Sequence, residues 1–407
     1  MKNTISKKFT LLLSTLALAV FVFVGCSSSD NKQAETTTEQ TTDQAQTSEG
    51  QTEETTETTE ESSAAPANDS KEITDAIAKQ DEIDKIIEEA AKKVKADDAN
   101  KDREVFVTAD YVNDVISGKK DVGKYVVAEV AWGEAKDSPD YLTKHIPGAI
   151  HINTDSIEEG PIWNLKSPEE IKKAFLDYGV DKDTTLIIYG PDTGAHRVAF
   201  TALYAGVNHV KVLDGGLKAW EAKGYETQAE EVKAEKAGDF GIEVPANPQY
   251  LLTINQVSEK LKDPNFQLIS IRSEKEWLGT ESGYSYIPRA GEIKGALWGK
   301  SGSDNSDMSF YQNEDGTNKA WDEITKMWAD QGISTDKDLS FYCGTGWRAT
   351  LPWLMAYQEG LNPTLYDGGW NEWQMHDDKE VQVGDPKASD VQNTTVKELP
   401  TDKATLQ

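Results

Sequence analysis

Cysteine is nearly absent from this 407-residue chain: Cys26 and Cys343 are the only two. Two cysteines so far apart cannot build a disulfide framework. The five histidines are scattered, so no Cys/His cluster has metal-ligand spacing, and neither a metal nor any other cofactor is expected. Positive charge is scarce as well: 42 Lys and Arg stand against 71 Asp and Glu, for a formal charge of −29 and a pI near 4.6. That balance argues against a nucleic-acid partner, because phosphate contacts need clustered Lys and Arg. Hydrophobic residues make up 37% of the chain and its mean hydropathy is −0.61, which excludes a polytopic membrane protein. The length suggests two or three domains.

One long apolar run is present, and it is N-terminal. Lys2, Lys7 and Lys8 precede an apolar stretch from Phe9 to Val24, followed by Gly25, Cys26 and three serines. Basic, apolar and small residues in that order read as a secretory signal over residues 1–25. The run is short for a spanning helix of about 20 residues. Phe23-Val24-Gly25-Cys26 resembles the lipobox of bacterial lipoproteins. That resemblance implies lipidation of Cys26 (diacylglycerol on its sulfur and a palmitate-type acyl chain). It also implies a chain held to the cell membrane on the extracytoplasmic face, with the membrane as a partner.

Residues 26–70 are a Thr, Glu, Gln and Ser tract with ten acids and one lysine between Asp30 and Glu61. Such a segment cannot bury enough apolar surface to offset its ordering entropy, so a disordered acidic tether is expected. Within residues 71–100 the pattern Ile73, Ala76, Ile77, Ile83, Ile86, Ile87, Ala90, Ala91, Val94 is helical, and Asp69 with Glu72 reads as a capping box. This amphipathic helix is expected to pack in cis on the first globular domain.

The remainder is one unit written twice. Leu186-Ile187-Ile188-Tyr189-Gly190 is echoed by Leu339-Ser340-Phe341-Tyr342-Cys343. Asp214-Gly215-Gly216 with Trp220 recurs as Asp367-Gly368-Gly369 with Trp373, at an offset of 153. Ile146-Pro147-Gly148-Ala149-Ile150 pairs in the same way with Ile293-Lys294-Gly295-Ala296-Leu297, and the run at Tyr125 with the run at Gln267. The units are expected at residues 101–228 and 249–385, joined by a linker over 229–248 and followed by a polar, loose tail over 386–407. Short apolar runs alternate with helical patterns in both, which predicts an α/β class with a mainly parallel sheet flanked by helices. Ligands of such sheets sit at the carboxyl ends of the strands, where Cys343 falls.

The segment Cys343-Gly344-Thr345-Gly346-Trp347-Arg348 is built like an anion cradle. Glycines let successive N–H groups point inward, and the following helix adds its free N–H groups and positive dipole end. A cysteine at the head of that nest is favoured as thiolate, and Arg348 adds a fixed charge. No histidine lies between the linker and this loop, and only His376 follows it, so a Cys/His mechanism is not indicated. Attack on a sulfane sulfur and attack on a phosphate ester both remain open on this reading.

The tandem units, His145-Ile146-Pro147-Gly148-Ala149, the paired Asp-Gly-Gly-x-x-x-Trp ends and the Cys343 loop together resemble tandem-domain rhodanese-type sulfurtransferases. The resemblance covers roughly residues 103–383. It implies two rhodanese-like domains, the first without a nucleophile, and Gly190 indeed stands where Cys343 stands. Related phosphatases use Cys-x5-Arg for the larger phosphate, whereas Cys343 to Arg348 is Cys-x4-Arg, so the resemblance favours sulfur. It implies a ping-pong transfer: Cys343 is the catalytic nucleophile, and Gly344, Thr345, Gly346, Trp347 and Arg348 bind substrate and persulfide. Arg272 binds the donor's anionic end, although Ser270 replaces that arginine's usual Asp partner. The expected donor is thiosulfate and the acceptor cyanide or a thiol, with 3-mercaptopyruvate as the alternative donor. A sulfur carrier without turnover, or an interaction lipoprotein, is the rival of a different class.

Eight of the eleven tryptophans lie between Trp277 and Trp373 and are expected in core and domain-interface packing, Trp347 excepted. His145 is expected to stabilise a turn, and Asp367-Gly368-Gly369 to supply turn chemistry.

Overall fold

The computed structural model describes residues 70–94 and 102–405. The signal segment, Cys26 and the acidic tract lie outside the described residues.

The first helix, α1 (Ser70–Ala91), buries Ile83 and Ile87 in the main hydrophobic core. Domain 1 follows as β1 (Phe106–Val107), α2 (Ala109–Ile116), β2 (Tyr125–Ala131), β3 (Ile150–Asn153), β4 (Glu158–Glu159), β5 (Asn164–Leu165), α3 (Pro168–Asp177), β6 (Thr185–Tyr189), α4 (Gly194–Ala205), β7 (His209–Leu213) and α5 (Gly216–Ala222). Its parallel sheet has the order β1-β7-β6-β2-β3, while β4 and β5 form a small hairpin apart.

Domain 2 comprises β8 (Leu251–Leu252), α6 (Ile254–Lys260), β9 (Phe266–Ser270), α7 (Glu274–Trp277), β10 (Glu292–Ile293), β11 (Leu297–Trp298), α8 (Trp321–Asp330), β12 (Asp338–Tyr342), α9 (Trp347–Gln358), β13 (Thr364–Tyr366), α10 (Gly369–Trp373), β14 (Glu380–Val383) and β15 (Gln392–Thr395). Its parallel sheet runs β11-β9-β12-β13-β8, the domain 1 order repeated strand for strand. Central strands β6 and β12 are buried almost throughout, as runs without alternation require when helices cover both faces. Each feeds a helix through a short loop, and those helices, α4 and α9, pack across the domain boundary with Phe200 edge-on to Trp353 at 4.8 Å.

Two expectations from the sequence change. The polar tail is strapped to domain 2: β15 pairs antiparallel with β14, on the side that β10 leaves free, Val396 and Leu399 are buried, and the Ser282 N–H donates to the Lys403 carbonyl at 2.9 Å. Two apolar anchors in a polar stretch suffice, because an open sheet edge offers the tail ready-made backbone partners.

Membrane attachment is also corrected. No helix among the described residues is long and apolar enough to cross a membrane. The amphipathic helix beside the tether turns its apolar face into the protein core instead. The membrane as partner and the membrane-anchored extracytoplasmic localisation therefore find no support in the described residues and are not carried further; Cys26 itself lies outside them.

The domain interface is polar at its centre. Fully buried Arg197 of α4 donates through Nε to Glu158 at 3.1 Å and through Nη1 to Asp367 of domain 2. Asp367 also accepts the Leu165 N–H at 2.7 Å, and Asn371 donates to the carbonyls of Pro161 and Ile162 at 3.0 and 2.8 Å. Helix α1 clasps both domains: Lys79 pairs with Glu159, and the Thr253 hydroxyl donates to Glu88 at 2.7 Å. Asp84 of α1 adds a carboxyl close to Glu372 and Asp367.

Buried acid outnumbers buried base at this junction, and it therefore retains protons. Burial, only partly offset by Arg197, pushes Glu158 up to about 7. Burial and then the Asp84 carboxyl raise Glu372, and burial raises Asp84, with Glu88 and Asp367 adding to it.

Arg197→Leu should cost about 3–5 kcal/mol, because Glu158 and Asp367 lose their buried countercharge; chemical denaturation would show a lower midpoint at an unchanged slope. Raised carboxyls bind more protons in the folded than in the unfolded chain. Their contribution is full below the ordinary carboxylate range and is lost as pH rises through about 7. The thermal midpoint should therefore fall between about pH 5 and about pH 8, and Glu372→Gln should flatten that fall.

Candidate active site

Cys343 follows the last residue of β12 and is fully buried. Its loop is fixed from behind. The N–H groups of Trp370 and Asn371, in the first turn of α10, donate to the carbonyls of Cys343 and Gly344 at 2.9 Å each. With those carbonyls turned outward, the peptide planes present their N–H edges to the other side. Among the described residues no backbone or side-chain acceptor takes the amides of Gly344 through Arg348.

Two glycines make this approach possible. Gly369 sits at φ +56°, and a Cβ there would stand 2.5 Å from the Cys343 carbonyl oxygen. Gly346 takes φ +86° to enter α9, with Arg197 and Asp367 pressed against it. The second glycine of Asp367-Gly368-Gly369 thus does more than make a turn, since it lets α10 reach the loop.

Arg348 points into a closed ionic cluster. Its guanidinium grips Glu276 with two bonds of 2.8 Å and also donates to the Ser301 hydroxyl, the Asp304 carbonyl and the Tyr284 hydroxyl, each at 3.2 Å. Arg272, equally buried, donates to the Gly291 carbonyl at 2.8 Å and lies 3.3 Å from both Glu276 and Glu292, with Trp370 under its guanidinium at 5.2 Å. Ser270, where an aspartate was anticipated, donates its hydroxyl to Glu292 at 2.8 Å. Glu276 and Glu292 thus serve as the arginine's carboxylate partners. Each arginine keeps one buried nitrogen without a partner, Nη2 of Arg272 and Nε of Arg348.

The two carboxylates end in different states. Burial acts to raise Glu276, but Arg348 and then Arg272 outweigh it and hold Glu276 at about 2. Burial wins at Glu292, which is pushed up to about 7 against the pull of Arg272.

Tyr284 and Tyr286 close the site, and sequence reasoning missed both. A Cβ on Gly344 would fall 2.2 Å from the Tyr284 ring, so this tyrosine lies directly across the loop. Burial, opposed by Arg348, pushes its hydroxyl up to about 12. Tyr286 stands beside it at 5.4 Å between rings. Both sit in a Gly-Tyr-Ser-Tyr segment without periodicity, which carries no sequence signal. Glu276 did have one: Ser273 and Glu276 form the capping box of α7, with the Ser273 N–H donating to Glu276 at 2.9 Å.

Domain 1 reaches the loop as well. Trp347 donates its indole N–H to Glu158 at 2.7 Å, and the Trp163 ring faces Tyr286 at 6.4 Å. Trp328, Trp353 and Trp370 are fully buried core residues. His145 is far from this chemistry: its Nδ1 lies 2.6 Å from the Tyr141 carbonyl and its ring stacks on Tyr141 within domain 1.

A rhodanese-like domain model matches residues 125–223 and again 253–376. The thiosulfate sulfurtransferase YnjE of Escherichia coli K12 is 43% identical over 291 residues, covering 69% of this chain and 66% of that protein's length, just under two thirds. The crystal structure of YnjE superposes with a TM-score of 0.66 at 41% identity, over 69% of this chain and 68% of that one. The anaerobic ergothioneine biosynthesis enzyme of Chlorobium limicola, solved with its natural substrate trimethyl histidine, superposes with a TM-score of 0.67 at 34% identity, over 71% and 72% of the two chains. Paired parallel sheets, matched loops and both copies of the model agree: this chain belongs to the rhodanese-like family, with two domains of that type in tandem.

Proposed function

We propose that the chain is a sulfurtransferase that carries sulfur as a persulfide on Cys343, with thiosulfate as donor. The observation that supports this reading most is the loop itself: a buried cysteine at a strand end, followed by five backbone amides, Gly344 to Arg348, that take no acceptor among the described residues. Such a ring stabilises negative charge on a small anion without any rearrangement.

In the first half-reaction the Cys343 thiolate attacks the outer sulfur of thiosulfate. A Cys343 sulfur–sulfur bond forms, the donor's sulfur–sulfur bond breaks, and sulfite leaves with the bonding electrons. The amides of Gly344 to Arg348 hold the terminal sulfur anion. In the second half-reaction cyanide or a thiolate attacks that sulfur, giving thiocyanate or a new persulfide and returning the Cys343 thiolate.

Arg348 and Arg272 supply positive potential, and the one unpartnered N–H on each supports a role for the donor's sulfonate oxygens. The Tyr284 hydroxyl, kept protonated by burial, is a hydrogen-bond donor beside the loop. Both arginines are engaged by Glu276, so the donor's anion is assigned first to the amide ring and second to the arginines. Similarity to an enzyme solved with trimethyl histidine supports testing a heteroaromatic acceptor beside cyanide and thiols.

Thiosulfate plus cyanide should yield thiocyanate over many turnovers, and donor alone should add one sulfur atom to the intact mass. Cys343→Ser should lose both. A mass gain without turnover would instead support a carrier, and faster initial rates with 3-mercaptopyruvate would reverse the donor order. Gly369→Ala should lower kcat/KM about a hundredfold or more, because its Cβ displaces the Cys343 carbonyl and rotates the amide ring, at a stability cost of about 2–4 kcal/mol read by denaturation.

A further inference from the structure

Domain 1 has its own strand-end cleft, in the place that the Cys343 loop occupies in domain 2, and that cleft is large. A cavity of about 810 Å³ opens over the ends of β6 and β7, between the Gly190 loop and the Asp214-Gly215-Gly216 turn. Small-molecule sites have volumes of this order. Domain 2 supplies its far wall: the Asn318 N–H donates to Asp214 at 2.8 Å, and Lys218 donates to the Glu314 carbonyl at 2.8 Å.

We propose that this cleft is a second ligand site, built for a small organic cation bearing a primary ammonium or guanidinium group.

The chemistry of its wall is the reverse of that around Cys343. Gly190 replaces the cysteine, and Asp192 accepts the Gly194 N–H at 2.8 Å, so the domain's own carboxylate occupies the α4 N-terminus. An anion is thereby excluded where domain 2 welcomes one. Seven carboxylates line the cavity against two lysines. One of those lysines, Lys144, is paired with Glu221 at 3.0 Å, and the other is held by the Glu314 carbonyl. Asp192 and Asp214 receive backbone N–H groups and, among the described residues, no cationic side chain.

His196 is the independent pointer to a ligand. It lines the cavity from the first turns of α4, is 7% exposed, and its Nδ1 has no hydrogen-bond partner. Burial keeps the imidazole neutral, lowering it to about 4, so it can accept a hydrogen bond rather than repel a cation. Phe106, 6.1 Å from the His196 ring, offers an apolar surface for a methylene stem. A metal ion is not indicated, since among the described residues no three His, Cys, Asp or Glu side chains converge to hold one. A cation with several N–H groups answers the two carboxylates, Asp214 and Asp192, that lack a cationic partner, and a small side-chain shift of His196 would bring its unpartnered Nδ1 to the same ligand.

The test is calorimetric titration of agmatine into the full-length chain. Saturable one-to-one binding is expected, equal in wild type and Cys343→Ser, and weakened about tenfold or more by Asp214→Asn. Asp192→Asn lies at the exposed rim and keeps its cap, so it should weaken binding without loss of folding. His196→Leu should weaken it too. Absence of saturable heat at millimolar agmatine would overturn the proposal. So would undiminished binding in both the Asp192 and Asp214 variants, loss of binding in Cys343→Ser, or competition by thiosulfate at this site.

Discussion

The carbonyls of Cys343 and Gly344 are held by two N–H groups of α10, and the loop, that helix and the domain junction are arranged around this pair of hydrogen bonds. A peptide unit cannot offer both its edges to one side. Inward N–H groups therefore require outward carbonyls with partners of their own. Helix α10 provides those partners, and it can approach only because residue 369 lacks a Cβ. Asp367, two residues earlier, ties the same turn to Arg197 and to the Leu165 amide of domain 1. A chain of contacts thus runs from the Cys343 loop through α10 to the neighbouring domain.

Electrostatics divides the interior into two regions of opposite balance. Around the Cys343 loop, two buried arginines meet two buried glutamates, and one of those glutamates is held firmly ionised while the other is easily protonated. At the domain junction, Arg197 alone faces Glu158 and Asp367, with Glu372 and Asp84 close by. The first cluster keeps two guanidinium groups in the domain that carries the Cys343 loop, with Arg348 at the end of that loop. At the second, burial raises Glu158, Glu372 and Asp84, and Arg197 spans the domains through its bonds to Glu158 and Asp367. Buried ion pairs contribute little net stability, yet they fix geometry strongly when one partner's removal would leave a bare charge.

The two sheets have the same strand order, and both place a loop, a helix N-terminus and an Asp-Gly-Gly turn at the strand ends. What differs is a handful of side chains. In domain 2 the cradle is open and the wall cationic; in domain 1 a carboxylate fills the helix end and the wall is acidic. One backbone design therefore presents two unlike chemical surfaces in a single chain.

Much of this was legible in the linear order of residues. Alternating apolar runs and helical patterns specified the α/β sheets, the offset of 153 revealed the duplication, and Cys343 between a buried strand and a glycine-bearing turn marked the reactive loop. Local rules suffice there, because strand burial, turn conformation and helix starts depend on neighbours in the chain. The partners of the arginines were not legible. Glu276, Glu292, Tyr284 and Glu158 reach the site from separate elements, and spacing along the chain says nothing about which carboxylate a guanidinium will meet. Polarity likewise concealed the docked tail, where Val396 and Leu399 matter only once an open sheet edge lies beside them. Sequence alone determined the architecture and the place of Cys343 at a strand end. Only the packing of distant segments decided the charge around it, because electrostatic pairing depends on distance in space, which the fold sets after the local structure is complete.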